Sequence, residues 1–136
     1  MCELFAFSGR HKENITPYLI KFFSHSDRNP HGWGIADLHG PVGIEKEPKK
    51  ADDSRFLPHI IKELLPTDLL MAHIRLATVG AMSYDNCHPF ELSDISGRNW
   101  TFMHNGTIFH SDALGKFQRE QKGTTDSERI FIFIQI

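Results

Sequence analysis

The second residue of the sequence, in the opening stretch MCELFAFSGR, is a cysteine. If Met1 were removed, the thiol of Cys2 would lie beside the α-amino group of the same residue. An α-amine has a pKa of about 7.7–8.0, so part of it is unprotonated at neutral pH and can accept the thiol proton. The alternative is that Cys2 is a small core residue at the start of a strand.

The stretch AHIRLAT at 72–78 lies in a predicted strand over 68–78. Side chains alternate between the two faces of a strand. One predicted face is apolar and suited to a core: Leu70, Ala72, Ile74 and Leu76. Arg75 lies on the other face, with Met71 and His73. If that face lines a pocket, the guanidinium fork can bind a carboxylate, and otherwise it is solvated or ion-paired.

The sequence HNG at 104–106 follows the predicted strand NWTFMH. An Asn-Gly pair after a strand is typical of a hairpin turn. It could also supply two hydrogen-bond donors, the side-chain amide of Asn105 and the backbone N–H of Gly106. Such a pair can stabilise a developing oxyanion.

The sequence TTDSE at 124–128 predicts the start of a helix, with Thr125 and Glu128 as a capping box. Asp126 then lies in the first turn, where the helix dipole already favours a carboxylate. The functional alternative is that the carboxylate of Asp126 binds the ammonium group of a substrate.

Several elements must position these residues. A strand is predicted over 3–8, with Gly9 ending it, and a helix over 15–25 with Thr16 as its N-cap. Further strands are predicted at 32–38 and 43–47, a helix capped by aspartate at 52–65, and a long loop at 83–98. Six of the last seven residues are Ile or Phe, so we expect the C-terminus to interrupt a buried element of a longer fold.

Composition restricts the class of protein. The 136 residues carry a net charge of −2 and 24% charged residues, which is typical of one globular domain without electrostatic affinity for nucleic acid or an anionic membrane. Two cysteines and no signal-like segment predict a cytoplasmic location without a disulfide. The spacing of His73, His88 and His104 matches no metal-ligand motif, so neither a metal nor another cofactor is expected.

Together these stretches resemble the class II (N-terminal nucleophile) glutamine amidotransferases, of the stand-alone YafJ-like type. The similar segments, in family order, are MCELFAFSG, NPHGWGIA, AHIRLATVG, NCHPF, WTFMHNG and GTTDSE. The resemblance covers nearly the whole chain. It implies an α+β fold, the αββα sandwich of N-terminal-nucleophile hydrolases, with residues 1–136 forming the N-terminal portion of one amidotransferase domain.

The resemblance also implies a role for each matching residue. Cys2 corresponds to the nucleophile, and Asn105 with Gly106 to the oxyanion hole. Arg75, assisted by Thr78, corresponds to the group that binds the α-carboxylate of glutamine, and Asp126 to the group that binds its α-ammonium. The substrate is then a small molecule, glutamine or another γ-glutamyl amide. A homo-oligomer or an ammonia-accepting partner enzyme is compatible with these roles.

The expected reaction is hydrolysis of the side-chain amide of glutamine through a cysteine thioester, releasing ammonia and glutamate. One alternative keeps this chemistry and changes the substrate to another γ-glutamyl amide or peptide. The other alternative is a catalytically inactive, truncated binding module.

Overall fold

The computed structural model describes residues 1–109 and 111–135. Within these residues the chain forms six β-strands and four α-helices. In chain order they are β1 (Glu3–Glu13), α1 (Thr16–Phe23), β2 (Trp33–Asp37), β3 (Gly43–Glu47), α2 (Leu57–Glu63), β4 (Thr67–Ile74), β5 (Phe90–Ser93), β6 (Asn99–Phe102), α3 (Asp112–Gly115) and α4 (Asp126–Ile134). Short 3₁₀ helices lie at Ser24–Arg28, Ala51–Asp53, Tyr84–Asn86 and Lys116–Arg119.

The first four strands along the chain form one antiparallel sheet, in which their spatial order is β1-β4-β2-β3. Strand β4 is therefore central, with β1 on one side and β2 on the other. The register pairs Glu3 with Ile74, so the residue before β1 lies opposite the residue after β4. This register brings the two ends of the strands, and hence Cys2 and Arg75, to the same place.

One face of this sheet carries the main hydrophobic core. Leu70, Ala72 and Ile74 of β4 are fully buried there, as the predicted alternation requires. Helices α1 and α2 cover the same face with a set of buried apolar residues: Leu19, Phe22, Phe23, Leu57 and Ile60. Along the described residues, none of the helices is both long enough and apolar enough to cross a bilayer.

The opposite face packs against the chain that leads into β5. A Cβ atom built on Gly34 would lie 1.9 Å from the carbonyl oxygen of His88, so only glycine permits this approach. Strands β5 and β6 form a separate antiparallel pair. The ring of Phe102 in β6 stacks on that of Phe131 in α4, with centroids 5.1 Å apart. The fold is thus a mixed structure in which helices flank antiparallel sheets.

Two predicted boundaries near the N-terminus are wrong. Strand β1 does not end at Gly9 but continues to Glu13, with an irregular register between Ser8 and Glu13. A glycine inside a strand commonly marks such an irregularity. Thr16 is the first residue of α1 rather than its cap, because the side chain of Asn14 already accepts the N–H of Thr16 at 3.1 Å.

Two further predictions need correction. Helix α2 begins at Leu57, whose N–H donates to Ser54 Oγ at 2.9 Å, so a serine and not an aspartate serves this helix start. The predicted loop over 83–98 contains strand β5. Its hairpin to β6 is closed by Asp94, whose carboxylate accepts the backbone N–H groups of Ser96 and Arg98. Four residues are too few for strand periodicity to be recognised.

Candidate active site

The Cys2 thiol is half-buried and anchored to the chain that follows β4. Its Sγ accepts the backbone N–H of Leu76 at 3.2 Å and lies 3.4 Å from the Leu76 carbonyl oxygen. These contacts follow from the register, which places the start of β1 beside the end of β4. The N-terminus of the chain is therefore held at a defined position.

Arg75 follows the last residue of β4 and is almost completely buried, with 3% of its surface exposed. Its guanidinium donates to three successive carbonyl oxygens, those of Val79 (2.8 Å), Gly80 (3.3 Å) and Ala81 (2.9 Å). None of the ion pairs among the described residues involves this guanidinium. Burial lowers the pKa of Arg75 from its ordinary value. The side chain thus holds the 79–81 loop, and its charge forms no ion pair with a carboxylate of the residues that the structure describes.

Asn105 and Gly106 lie in the loop after β6, and no strand follows them within residues 107–109. The Asn-Gly pair therefore does not form the alternative hairpin. The side-chain amide of Asn105 donates to the backbone carbonyl of Cys2. This bond joins the loop after β6 to the N-terminus of the chain, and it places the Asn105 amide beside Cys2, the candidate nucleophile.

Asp126 is the first residue of α4 and is 6% exposed. One carboxylate oxygen accepts the N–H of Ser127 at 3.0 Å, and the other accepts the N–H of Ile108. The capping role predicted for Thr125 is confirmed, because its hydroxyl accepts the N–H of Glu128 at 3.2 Å. The Glu128 carboxylate does not complete the box, since it accepts the N–H groups at positions 122 and 123 instead.

Thr78 is exposed, and its hydroxyl lies 2.9 Å from that of Thr107. The pair joins the loop after β4 to the loop after β6. Thr78 is therefore close to the candidate oxyanion residues in space, although 29 positions separate the two threonines.

These side chains meet around one small cavity of about 20 Å³. It is lined by five of the predicted site residues, Cys2, Arg75, Thr78, Gly106 and Asp126, together with His88, His104 and Ser127 among others. Asn105 adjoins it through Cys2. This volume suits about one water molecule. An amino-acid ligand would therefore require the surrounding loops to move apart.

A much larger groove of about 800 Å³ lies between α1 and α2. Its lining includes Phe23, Leu57 and Ile61, and it contains none of the predicted site residues. Within residues 1–109 and 111–135, no group of three or more His, Cys, Asp or Glu side chains is arranged to hold a metal ion. The small cavity is the place where the Cys2 thiol, the Arg75 guanidinium, the Asp126 carboxylate and the candidate amide donors lie close together.

A sequence model of the class-II glutamine amidotransferases matches residues 1–135. The chain belongs to this family. Five of the six segments that carried the resemblance contribute residues to the cavity, and NPHGWGIA is the segment that does not.

Curated relatives of this amidotransferase chain include proteins from archaea and bacteria. An uncharacterized protein of Methanocaldococcus jannaschii is 33% identical over 98% of this chain and 38% of its own length. YafJ of Escherichia coli is 29% identical over 98% of this chain and 54% of its own length. A Haemophilus influenzae protein is 32% identical over 96% of this chain and 42% of its own length. The last two are named "putative glutamine amidotransferase". The chain spans about half the length of these relatives, or less.

The amidotransferase chain also buries two histidines whose importance sequence reasoning did not establish. His73 and His88 are 0% and 4% exposed, and their rings stack with centroids 4.3 Å apart. None of their four ring nitrogens has a hydrogen-bond partner among the described residues. Burial lowers the pKa of His73 to about 4 and that of His88 well below 6.5. Both rings are therefore neutral at pH 7.

This pair predicts a loss of stability in mild acid. A histidine whose pKa is lower in the folded than in the unfolded chain binds its proton preferentially in the unfolded state, so stability falls as pH drops from about 6.5 towards 4. For His73 alone, the free energy of unfolding should decrease by about 2 kcal/mol between pH 7.5 and pH 5. Denaturant unfolding at both pH values measures this change.

A ring that cannot titrate should weaken this pH dependence. His73→Phe keeps a ring beside His88, and we expect the variant to lose part of the difference between pH 7.5 and pH 5. His59 is exposed, so His59→Phe is the matched control and should retain the dependence of the wild type. An unchanged dependence in His73→Phe would contradict the assignment.

Proposed function

We propose that this chain carries the glutaminase site of a class II amidotransferase, with Cys2 as its N-terminal nucleophile. The observation that supports the proposal most strongly is the convergence of Cys2, Arg75, Gly106 and Asp126, from four distant segments, on one cavity. The family supports the same assignment. We infer that the helices and antiparallel sheets belong to the αββα sandwich of N-terminal-nucleophile hydrolases.

Met1 must be removed before the reaction can occur, because the Cys2 nitrogen is otherwise an amide that cannot accept a proton. The free α-amine takes the thiol proton, and Sγ attacks the side-chain amide carbon of glutamine. The amide oxygen becomes an oxyanion. Asn105 Nδ2 and the Gly106 N–H donate to it, each contributing about 3–4 kcal/mol. To do so, the Asn105 amide must exchange its bond to the Cys2 carbonyl for one to the substrate.

The tetrahedral intermediate then collapses with cleavage of its C–N bond. The α-ammonium of Cys2 returns the proton to the leaving nitrogen, which departs as ammonia, and a γ-glutamyl thioester remains. Water attacks the thioester carbon with the α-amine as base. Cleavage of the C–S bond releases glutamate, and the thiol recovers its proton.

Recognition of the amino-acid head requires one group of each charge. Arg75, assisted by Thr78, binds the α-carboxylate, and Asp126 binds the α-ammonium. Pairing both charges of the zwitterion favours amino acids over simple amides. Arg75 donates to the 79–81 carbonyls, so binding of the substrate carboxylate must replace some of those bonds. Asp126 forms no ion pair within the described residues, so the substrate ammonium would be its first cationic partner.

A direct assay tests the function. The folded chain, with Met1 removed, should release ammonia and glutamate from glutamine and leave asparagine intact. Parallel assays with γ-glutamyl peptides determine whether another γ-glutamyl amide is the better substrate. If a folded, processed protein releases glutamate from none of them, the proposal is wrong and the chain acts as a binding module.

Removal of Met1 is a prediction in its own right. Met1 is 88% exposed and precedes a small residue, so intact-mass measurement should find a chain that begins at Cys2. The matched control is a chain with one alanine inserted between Met1 and Cys2, which keeps the thiol but moves the α-amine away. Losing a general base should lower kcat by roughly 100-fold or more. A fully active insertion variant would contradict the role of the amine.

A further inference from the structure

The loop over 104–108 is joined to the N-terminus of α4 by a hydrogen bond at each end. At one end, His104 Nδ1 lies 2.9 Å from Ser127 Oγ. At the other end, the Ile108 N–H donates to the carboxylate of Asp126. Asn105 and Gly106 lie between these two bonds, so the position of the candidate oxyanion donors depends on the first turn of α4.

The His104 ring is in direct contact with the candidate donor residue Gly106. A Cβ atom built on Gly106 would lie 3.0 Å from His104 Nε2 and 3.2 Å from its Cε1. The imidazole therefore packs against the backbone whose N–H is the proposed donor. Both residues, together with Ser127, line the cavity that contains Cys2.

Aromatic stacking also restricts the orientation of the His104 ring. The His104 ring is nearly parallel to that of Phe102, at 15° and 6.4 Å, and Phe102 stacks on Phe131 of α4 at 10° and 5.1 Å. Stacking restricts the plane of the imidazole, and the bond to Ser127 restricts its rotation within that plane. A ring held in these two ways can keep the backbone of Gly106, which packs against it, in one position.

We propose that His104 is a positioning residue that holds Asn105 and Gly106 in place for the oxyanion through its bond to Ser127. The inference rests on the proposed function. It assigns no proton transfer to the imidazole, and the bond exists whichever of the two groups is the donor. Because oxyanion donors act mainly in the transition state, disturbing their position lowers kcat and leaves KM nearly unchanged.

The test combines steady-state kinetics with a double-mutant cycle. His104→Ala and Ser127→Ala should each lower kcat by about 10-fold, with KM within about twofold of the wild type. Because both substitutions remove the same bond, the double variant should be little worse than His104→Ala alone. His104→Asn places a polar atom near the former Nδ1 position and should recover part of the loss. His59→Ala, at an exposed histidine, should have no effect.

Hydrogen exchange supplies a readout that does not require activity. Peptides covering 104–108 should exchange faster in His104→Ala and in Ser127→Ala, whereas peptides from β4 should be unchanged. Loss of exchange protection throughout the chain would show a general folding defect and overturn the inference. An unchanged kcat, a loss confined to KM, or additive effects in the double variant would also overturn it. A folded, processed wild type without amide hydrolysis would instead refute the proposed function.

Discussion

Replacing Cys2 with alanine is expected to abolish glutamine hydrolysis, with a loss of at least about 1,000-fold, whereas Cys87→Ala should retain turnover near that of the wild type. The thioester cannot form without the Cys2 sulfur. Cys87 is the matched control, because it is the second of the two cysteines in the sequence and lies outside the small cavity. Ammonia release in the two variants measures the difference.

The two thiols should also differ in reactivity towards a glutamine-like electrophile. Cys2 is half-buried at the cavity, whereas Cys87 is 1% exposed and burial raises its pKa to about 11. At pH 7.5 only about one Cys87 thiol in 3,000 is then ionised. Peptide mass spectrometry should find the label on Cys2 alone. Equal labelling of both thiols, or a fully active Cys2→Ala variant, would rule out the assigned nucleophile.

The second large effect is expected at Asp126. Asp126→Asn removes the charge that would pair with the substrate ammonium, and its single acceptor oxygen can keep only one of the two backbone bonds, from Ser127 or from Ile108. Removing one partner of a desolvated pair costs about 2–5 kcal/mol, so kcat/KM should fall roughly 30-fold or more. The lost charge raises KM, and loss of the bond to Ile108 lowers kcat by loosening the loop that carries Asn105 and Gly106. Steady-state kinetics with glutamine and a thermal melt of the same protein measure the two contributions.

Asp112 supplies the matched control for this experiment. It is the first residue of α3, as Asp126 is of α4, but it is exposed and lies outside the cavity. Asp112→Asn alters a similar helix-dipole interaction and should leave kcat/KM unchanged. If Asp126→Asn retains full activity, or loses activity only in proportion to lost fold, then Asp126 is a helix-start residue and nothing more.

Arg75 is a less decisive site for the same test. The family resemblance implied that Arg75 binds the substrate carboxylate. In the structure the guanidinium is buried and donates to three carbonyls of the 79–81 loop. Arg75→Lys cannot reproduce a planar fork, so we expect this variant to lose both activity and some thermal stability. The charge-removing change at Asp126 separates the two roles better.

The sequence alone determined the local chemistry of the chain. The apolar alternation through Leu70, Ala72 and Ile74 identified the core face of β4, and Thr125 was recognised as a helix cap. Both signals arise within a few consecutive residues, where periodicity and side-chain hydrogen bonding act directly. The order of the motifs was also sufficient to indicate the family that the comparison then established.

Only the tertiary structure decided which distant segments contact one another. The pairing of Glu3 with Ile74 places Cys2 next to Leu76, and no local signal specifies that register. Strand β5 was missed because its stability comes from β6 rather than from its own four residues. The contacts of His104 with Gly106 and Ser127 likewise required the packing of β6 against α4. Residue types decide which chemistry is available, but bonds between distant segments exist only after strand register and packing bring them together.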